Sequence, residues 1–221
     1  MSKKDVLVDT VFLHKLSGEG KDIKAFKKIL DDLNFCPVVH PYIAKNELDV
    51  FYYFQTLVEE KYIKVIDYDV FLPDEEDREY YETRFVEIHD EIRTHLEAAG
   101  GKKQLKKLVL PQGQTVFTYR NAGMSLGDVH MILMAFFLQI PVILTEDSDI
   151  ELLRAITKRK MGSASYQLDI FNAIDVIRMI AQNHQNSFSK KELVQVVKAI
   201  REREHVSEIK QAWNEAHPSE S

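Results

Sequence analysis

The stretch 129-VHMILMAFFLQIPVILT-145 restricts what this chain can fold into more than any other. It is apolar nearly throughout, but Gln139 and Pro141 interrupt it, so it is too short and too broken to span a bilayer. What remains is a buried helix over 126–138, a tight turn, and a buried strand over 140–145. A helix over 148–160 follows and completes an α-β-α alternation. Near the start, Val6, Leu7 and Val8 are apolar in succession. A strand over 5–9 of this kind suits a parallel sheet covered on both faces, where alternation with polar residues is lost.

The rest of the chain reads in the same terms. After a glycine-containing loop, Ile23, Phe26, Ile29, Leu30 and Leu33 recur at helical spacing over 22–34. A short apolar segment, 35–40, follows, and Pro41 then suits the first turn of a helix over 42–60. Residues 62–69 read as a short strand or an extended connection. The acidic stretch 73–101 starts at Pro73 and closes on Gly100 and Gly101, which predicts a long helix with one exposed face. Residues 102–123 are basic at first and then irregular. A last strand over 166–171 and a helix over 173–183 follow. Ser189 and Glu192 form a capping-box pattern that opens helical content over 190–204, and a final helix runs over 206–216. The fold class is therefore α/β, a three-layer α/β/α sandwich with a central parallel sheet and extra C-terminal helices. We divide it into a unit over 1–185 and a helical extension over 186–221 packed on or beside it.

Net charge is −6, so a polyanionic partner would have to be met by local basic patches. Cys36 is the sole cysteine, which excludes an internal disulfide and a cysteine-based zinc site and fits a reducing cytoplasm. Beside Pro37 in an apolar stretch, it reads as a small core residue. The first residues contain no signal-like apolar segment, and no membrane span is expected.

The acids carry the chemistry. Ligands of open α/β sheets bind beyond the carboxyl ends of the strands. Asp9 and Asp147 fall there, Asp128 opens the helix that feeds the second of those strands, and Glu47 lies early in the helix after Pro41. Converging carboxylates repel and raise one another's pKa, and a hard divalent cation such as Mg²⁺ or Mn²⁺ relieves this. Such an ion activates water for attack on a phosphodiester. Each acid also has a plainer reading. Ser125 with Asp128, and Ser148 with Glu151, have capping-box spacing. Glu47 suits a solvated helix face. A haloacid-dehalogenase-type phosphatase needs a second aspartate two residues after Asp9, where this chain has Val11. No G-x-G-x-x-G follows the first strand, so a Rossmann site is unsupported. His130, two residues after Asp128, points to another helix face and reads as structural, whereas His14 is close enough in sequence to approach a substrate. Lys102, Lys103, Lys106 and Lys107, with Arg120, are candidate phosphate contacts, as are Lys158, Arg159 and Lys160; a solvated helix end is the plainer account of either cluster. Phe117, Tyr119 and Tyr166 suit base stacking or core packing.

Together, 8-VDTVFL-13, Glu47-Leu48, 126-LGDVHMILMA-135 and 142-VILTEDSDI-150 resemble the PIN-domain ribonucleases in order and spacing, over about residues 5–175. The resemblance implies a Mg²⁺- or Mn²⁺-dependent endoribonuclease with Asp9, Glu47, Asp128 and Asp147 as metal-site acids. It also implies Asp149 as an auxiliary acid and Thr10 as a hydroxyl that orients the cluster. Lys106, Lys107 and Arg120 are the expected substrate contacts. RNA is the expected partner, and an antitoxin-like protein or an oligomer is compatible with the family. Many members have Asn where this chain has Val11, which removes a polar contact. The competing class is a PIN-like module without catalysis that recruits RNA or a protein.

Overall fold

A computed structural model describes residues 3–100, 104–121, 123–162 and 165–218. The two apolar runs become the middle of the sheet. β1 (Lys4–Val8) is flanked by β2 (Phe35–Val39) and β4 (Val142–Leu144), with β3 (Lys64–Val65) and β5 (Asp169–Phe171) outside them. The order is β3-β2-β1-β4-β5 and every pairing is parallel. Leu7 lies opposite both Val38 and Ile143, and all three are fully buried. The segment 35–40 is thus a strand despite Pro37. β3 pairs only with Val38 and Val39, so Pro37 has a strand partner on one side alone, which is where a residue without an N–H is tolerated.

Helices cover both faces. On one, α1 (Thr10–Leu16), α2 (Ile23–Asp32) and α9 (Ala173–Gln182) pack together, and α10 (Lys190–Ala199) and α11 (Val206–Ala216) close over α9. Leu193, Val197, Ile209 and Trp213 join the same core as the sheet. On the other face, α7 (Leu126–Leu138) is surrounded by α3 (Pro41–Ile43), α5 (Tyr68–Phe71), α6 (Glu75–Ala98) and α8 (Ile150–Met161). α7 is buried on nearly every side, as its all-apolar sequence requires. α6 buries Tyr81, Phe85, Ile88, His89 and Ile92 along one stripe and turns its acids outward. Among the described residues no helix is long and apolar enough to cross a membrane.

Four expectations change. Residues 10–16, read from sequence as part of a loop, form α1, because Phe12, Leu13 and Leu16 reach the core and Asp9 caps the turn. The helix expected over 42–60 is broken: α3 passes into a π-helical turn (Ala44–Leu48), the chain extends at Phe51, and α4 (Tyr52–Glu59) restarts. Ile43 and Leu48 are both buried and stand five residues apart. A regular α-helix turns that pair to different sides, and i→i+5 bonding brings them round to the same one. Residues 62–69 divide into β3 and α5, and the helical content over 190–204 ends at Ala199, with a 3₁₀ turn (Arg203–His205) before α11.

Candidate active site at the carboxyl ends of the central strands

β1 and β4 are neighbours, although a long excursion of chain separates them, so their carboxyl ends meet at the point where the strand order reverses. Asp9 follows β1 immediately. Its backbone N–H donates to the Leu144 carbonyl at 3.1 Å, and its carboxylate caps α1 by accepting the Phe12 N–H at 2.5 Å. The other carboxylate oxygen accepts the Thr145 hydroxyl. Thr145 in turn accepts the Asp147 N–H at 3.0 Å, and an Asp147 oxygen accepts the Asp149 N–H at 2.8 Å. One buried threonine thus couples the acid after β1 to the acid after β4. It stands in the apolar run that ends at Asp147, but nothing in the sequence alone assigns it this role.

Glu47 comes from the π-helical turn and accepts the Thr10 hydroxyl at 2.5 Å. It lies over the first turn of α7, where Gly127 leaves room for it. A Cβ at Gly127 would press into Glu47 Oε1 and lie 3.4 Å from Ile43 Cγ1. Asp128, one residue further along α7, lines the same cleft. The capping boxes that offered plainer readings do not form. Ser125 is left-handed, with φ 50, and its side chain caps nothing. α8 starts at Ile150 with Asp149 at its N-cap, which places Glu151 out of box register with Ser148.

Asp9, Glu47, Asp128 and Asp147 therefore line one cleft of about 580 Å³, together with Val11, Tyr42, Asn46, Arg120 and Asn121. Arg120 is the one cation in that lining among the described residues. Burial pushes the Asp9 carboxyl up to about 6, against the opposing pull of hydrogen bonds from Thr145 and from the Phe12 and Glu146 backbone. Burial also raises Glu47, opposed by the Thr10 hydroxyl. Glu146 belongs elsewhere: it pairs with Lys15 at 2.5 Å and accepts the Ala173 N–H at 2.8 Å, while Lys15 also holds Glu202 of the C-terminal extension at 2.5 Å. Asn46 was not singled out by its sequence. Its side-chain oxygen is buried and has no hydrogen-bond partner among the described residues.

Other candidate residues fall outside the cleft. Asp149 sits at the head of α8 and does not line it. Lys106 is exposed on the connection before α7, and Lys107 lines a separate groove of about 650 Å³ along α6. Lys102 and Lys103 lie outside the described residues. Arg159 and Lys160 pair with Glu91 of α6, the solvated-helix-end reading. His14 shares a hydrogen bond of 2.6 Å with the Tyr53 hydroxyl rather than facing the acids. Tyr166 packs edge-on against Phe136, and Phe117 against Tyr68. Tyr119 uses its carbonyl to accept the Tyr42 hydroxyl. Among the described residues, the three ligand atoms that come within 4.8 Å of one another are those of Glu202, Glu204 and His205, on the turn before α11; the cleft acids are spaced more widely.

Comparison with protein-family models, curated proteins and solved structures returns no match to this chain.

Proposed function

We propose that the protein is a PIN-like endoribonuclease that hydrolyses RNA phosphodiester bonds with Mg²⁺ or Mn²⁺, acting in the cytoplasm. The observation that carries this reading is that Asp9, Glu47, Asp128 and Asp147, from four separate elements, line one cleft beyond β1 and β4. The donor set fits a hard cation, because the lining offers carboxylate and amide oxygens and neither Cys nor His. Gly127 fits as well, since its missing side chain is what lets Glu47 reach the cleft. When bound, the ion supplies an activated water and neutralises charge on the phosphoryl oxygens.

The chain's own residues do the rest. Phe12 and Thr145 fix the Asp9 carboxylate, and Thr10 fixes Glu47, so neither must reorganise during the reaction. Arg120 brings positive charge to a cleft that must accept a phosphate. Lys106 and Lys107 would meet RNA only beyond the cleft, where they add affinity without touching the scissile bond. Asp149 acts through Asp147, to which its N–H is bonded.

The test is cleavage of single-stranded RNA by purified protein with Mn²⁺ or Mg²⁺, stopped by EDTA. Asp9→Asn and Asp128→Asn each abolish it. Equal RNA loss with wild type and Asp9→Asn would mean a contaminating nuclease and would end this reading. Two observations favour the second reading, a module that recruits RNA or a protein partner such as an antitoxin: the acid spacing, and Val11, which is 57% exposed at the cleft. A melting temperature indifferent to millimolar Mn²⁺ and Mg²⁺ would select it.

A further inference from the structure

We infer that Asn46 completes the oxygen set of the cleft, its side-chain carbonyl joining the coordination sphere of the divalent cation directly or through one of the ion's waters. The inference rests on the nuclease reading above. It starts from an imbalance. The Asn46 Oδ1 atom is shielded from solvent and accepts no hydrogen bond among the described residues. A buried acceptor without a donor is costly, and native folds keep one for a reason, an absent ion or water among them. Asn46 also lines the cleft that holds the four acids. It directly precedes Glu47 on the π-helical turn, a local geometry frequent at functional sites.

The chemistry of the cleft narrows the donor. Asp9, Glu47, Asp128 and Asp147 can all take negative charge, and a neutral amide among them adds an oxygen without adding repulsion. Hard cations accept Asn carbonyls alongside carboxylates. Among the described residues no three carboxylate oxygens of the cleft lie within 4.8 Å of one another. The terminal torsion of Asn is broad, so the carbonyl can swing from the wall toward the cleft at small cost.

The experiment measures Mn²⁺ binding to the metal-free full-length protein, by calorimetry and by loss of the free-ion paramagnetic signal, with no RNA present. Asn46→Ala is expected to weaken Mn²⁺ binding roughly ten- to a hundredfold, the range seen when partners of a metal site are removed. Asn46→Asp, which keeps an oxygen, is expected to bind at least as tightly as wild type. The melting temperature of metal-free Asn46→Ala should match wild type, since the carbonyl it loses has no partner to forfeit; a clear drop overturns the inference. So does Mn²⁺ affinity equal to wild type while Asp9→Asn has lost it, an outcome that leaves the nuclease reading standing. If Asn46→Ala instead lowers affinity for a single-stranded RNA in EDTA and leaves Mn²⁺ binding unchanged, the carbonyl serves substrate and the inference also fails. Wild-type protein that binds no Mn²⁺ removes the nuclease reading itself.

Discussion

Two polar clusters draw on the first turns of α7, one through His130 and the other through Gly127 and Asp128, and they are built in opposite ways. His40, Tyr81 and His130 are buried, and their groups are matched. His40 Nδ1 accepts the Tyr42 N–H at 3.0 Å, which leaves Nε2 to donate to the Tyr81 oxygen at 3.4 Å. The Tyr81 hydroxyl donates to His130 Nδ1 at 2.8 Å, and His130 Nε2 donates to the Val116 carbonyl at 3.0 Å. The two imidazoles stack 4.8 Å apart. In the cleft, by contrast, carboxylates are gathered with one arginine, and the Asn46 acceptor is unmatched among the described residues. A saturated network holds elements together, whereas an unsaturated one is where a ligand belongs. The first joins α3, α6 and α7, and so braces the elements that carry Glu47 and Asp128.

The largest test of the contrast is functional. Asp128→Asn should remove RNA cleavage while keeping the fold, whereas truncation of the matched cluster should cost stability first. His130→Ala leaves the Tyr81 hydroxyl and the Val116 carbonyl without partners and opens a cavity, and should lose about 3 kcal/mol in urea unfolding. If His130→Ala unfolds like wild type, the network is not what braces the site.

Acid separates the clusters next. Burial lowers His130 to about 3 and His40 well below its ordinary value, with His130 adding to the depression of His40. The unfolded chain therefore binds protons that the folded chain refuses. Stability is full above the unfolded histidine value of 6.5 and falls as pH drops below it, by up to about 1.4 kcal/mol per pH unit for each histidine. Asp9 acts with the opposite sign. Its folded value is raised from 3.8 to about 6, so its contribution is greatest at low pH and is lost as pH rises between those values. Asp9→Asn should then stabilise the metal-free protein at pH 7, by up to about 3 kcal/mol less what its hydrogen bonds contributed, and steepen its loss of stability toward pH 4. Parallel pH curves for variant and wild type would show that Asp9 is not desolvated in solution.

The smallest expected change probes Gly127, in the lining of the cleft. Gly127→Ala puts a methyl group against Glu47 Oε1 without straining the helix. It should leave stability within about 1 kcal/mol of wild type, because alanine favours helix where glycine does not. It should still blunt the rise in melting temperature with Mn²⁺. A full Mn²⁺ response would mean that Glu47 has another place to stand.

The sequence by itself determined the frame and pointed to four acids that line the cleft. Val6–Val8 are fully buried and the run through α7 and β4 nearly so, and such burial leaves a near-continuous apolar signature that needs no partner to be read. Asp9 and Asp147 were legible for the same reason, as charges where such runs stop. The capping boxes at Ser125 and Ser148 were legible too, and mistaken, because spacing does not report the backbone angles a cap requires; Ser125 is left-handed and α8 starts late. Only tertiary structure decided that Thr145 joins Asp9 to Asp147, that the helix after Pro41 opens into a π-helical turn, that Gly127 yields its space to Glu47, and that Lys107 lines a groove along α6 rather than the cleft. These depend on which elements the sheet order makes neighbours. Contacts such as Thr145 to Asp9, 136 residues apart in sequence, leave no local pattern, because neither residue would be chosen differently for its own strand or helix.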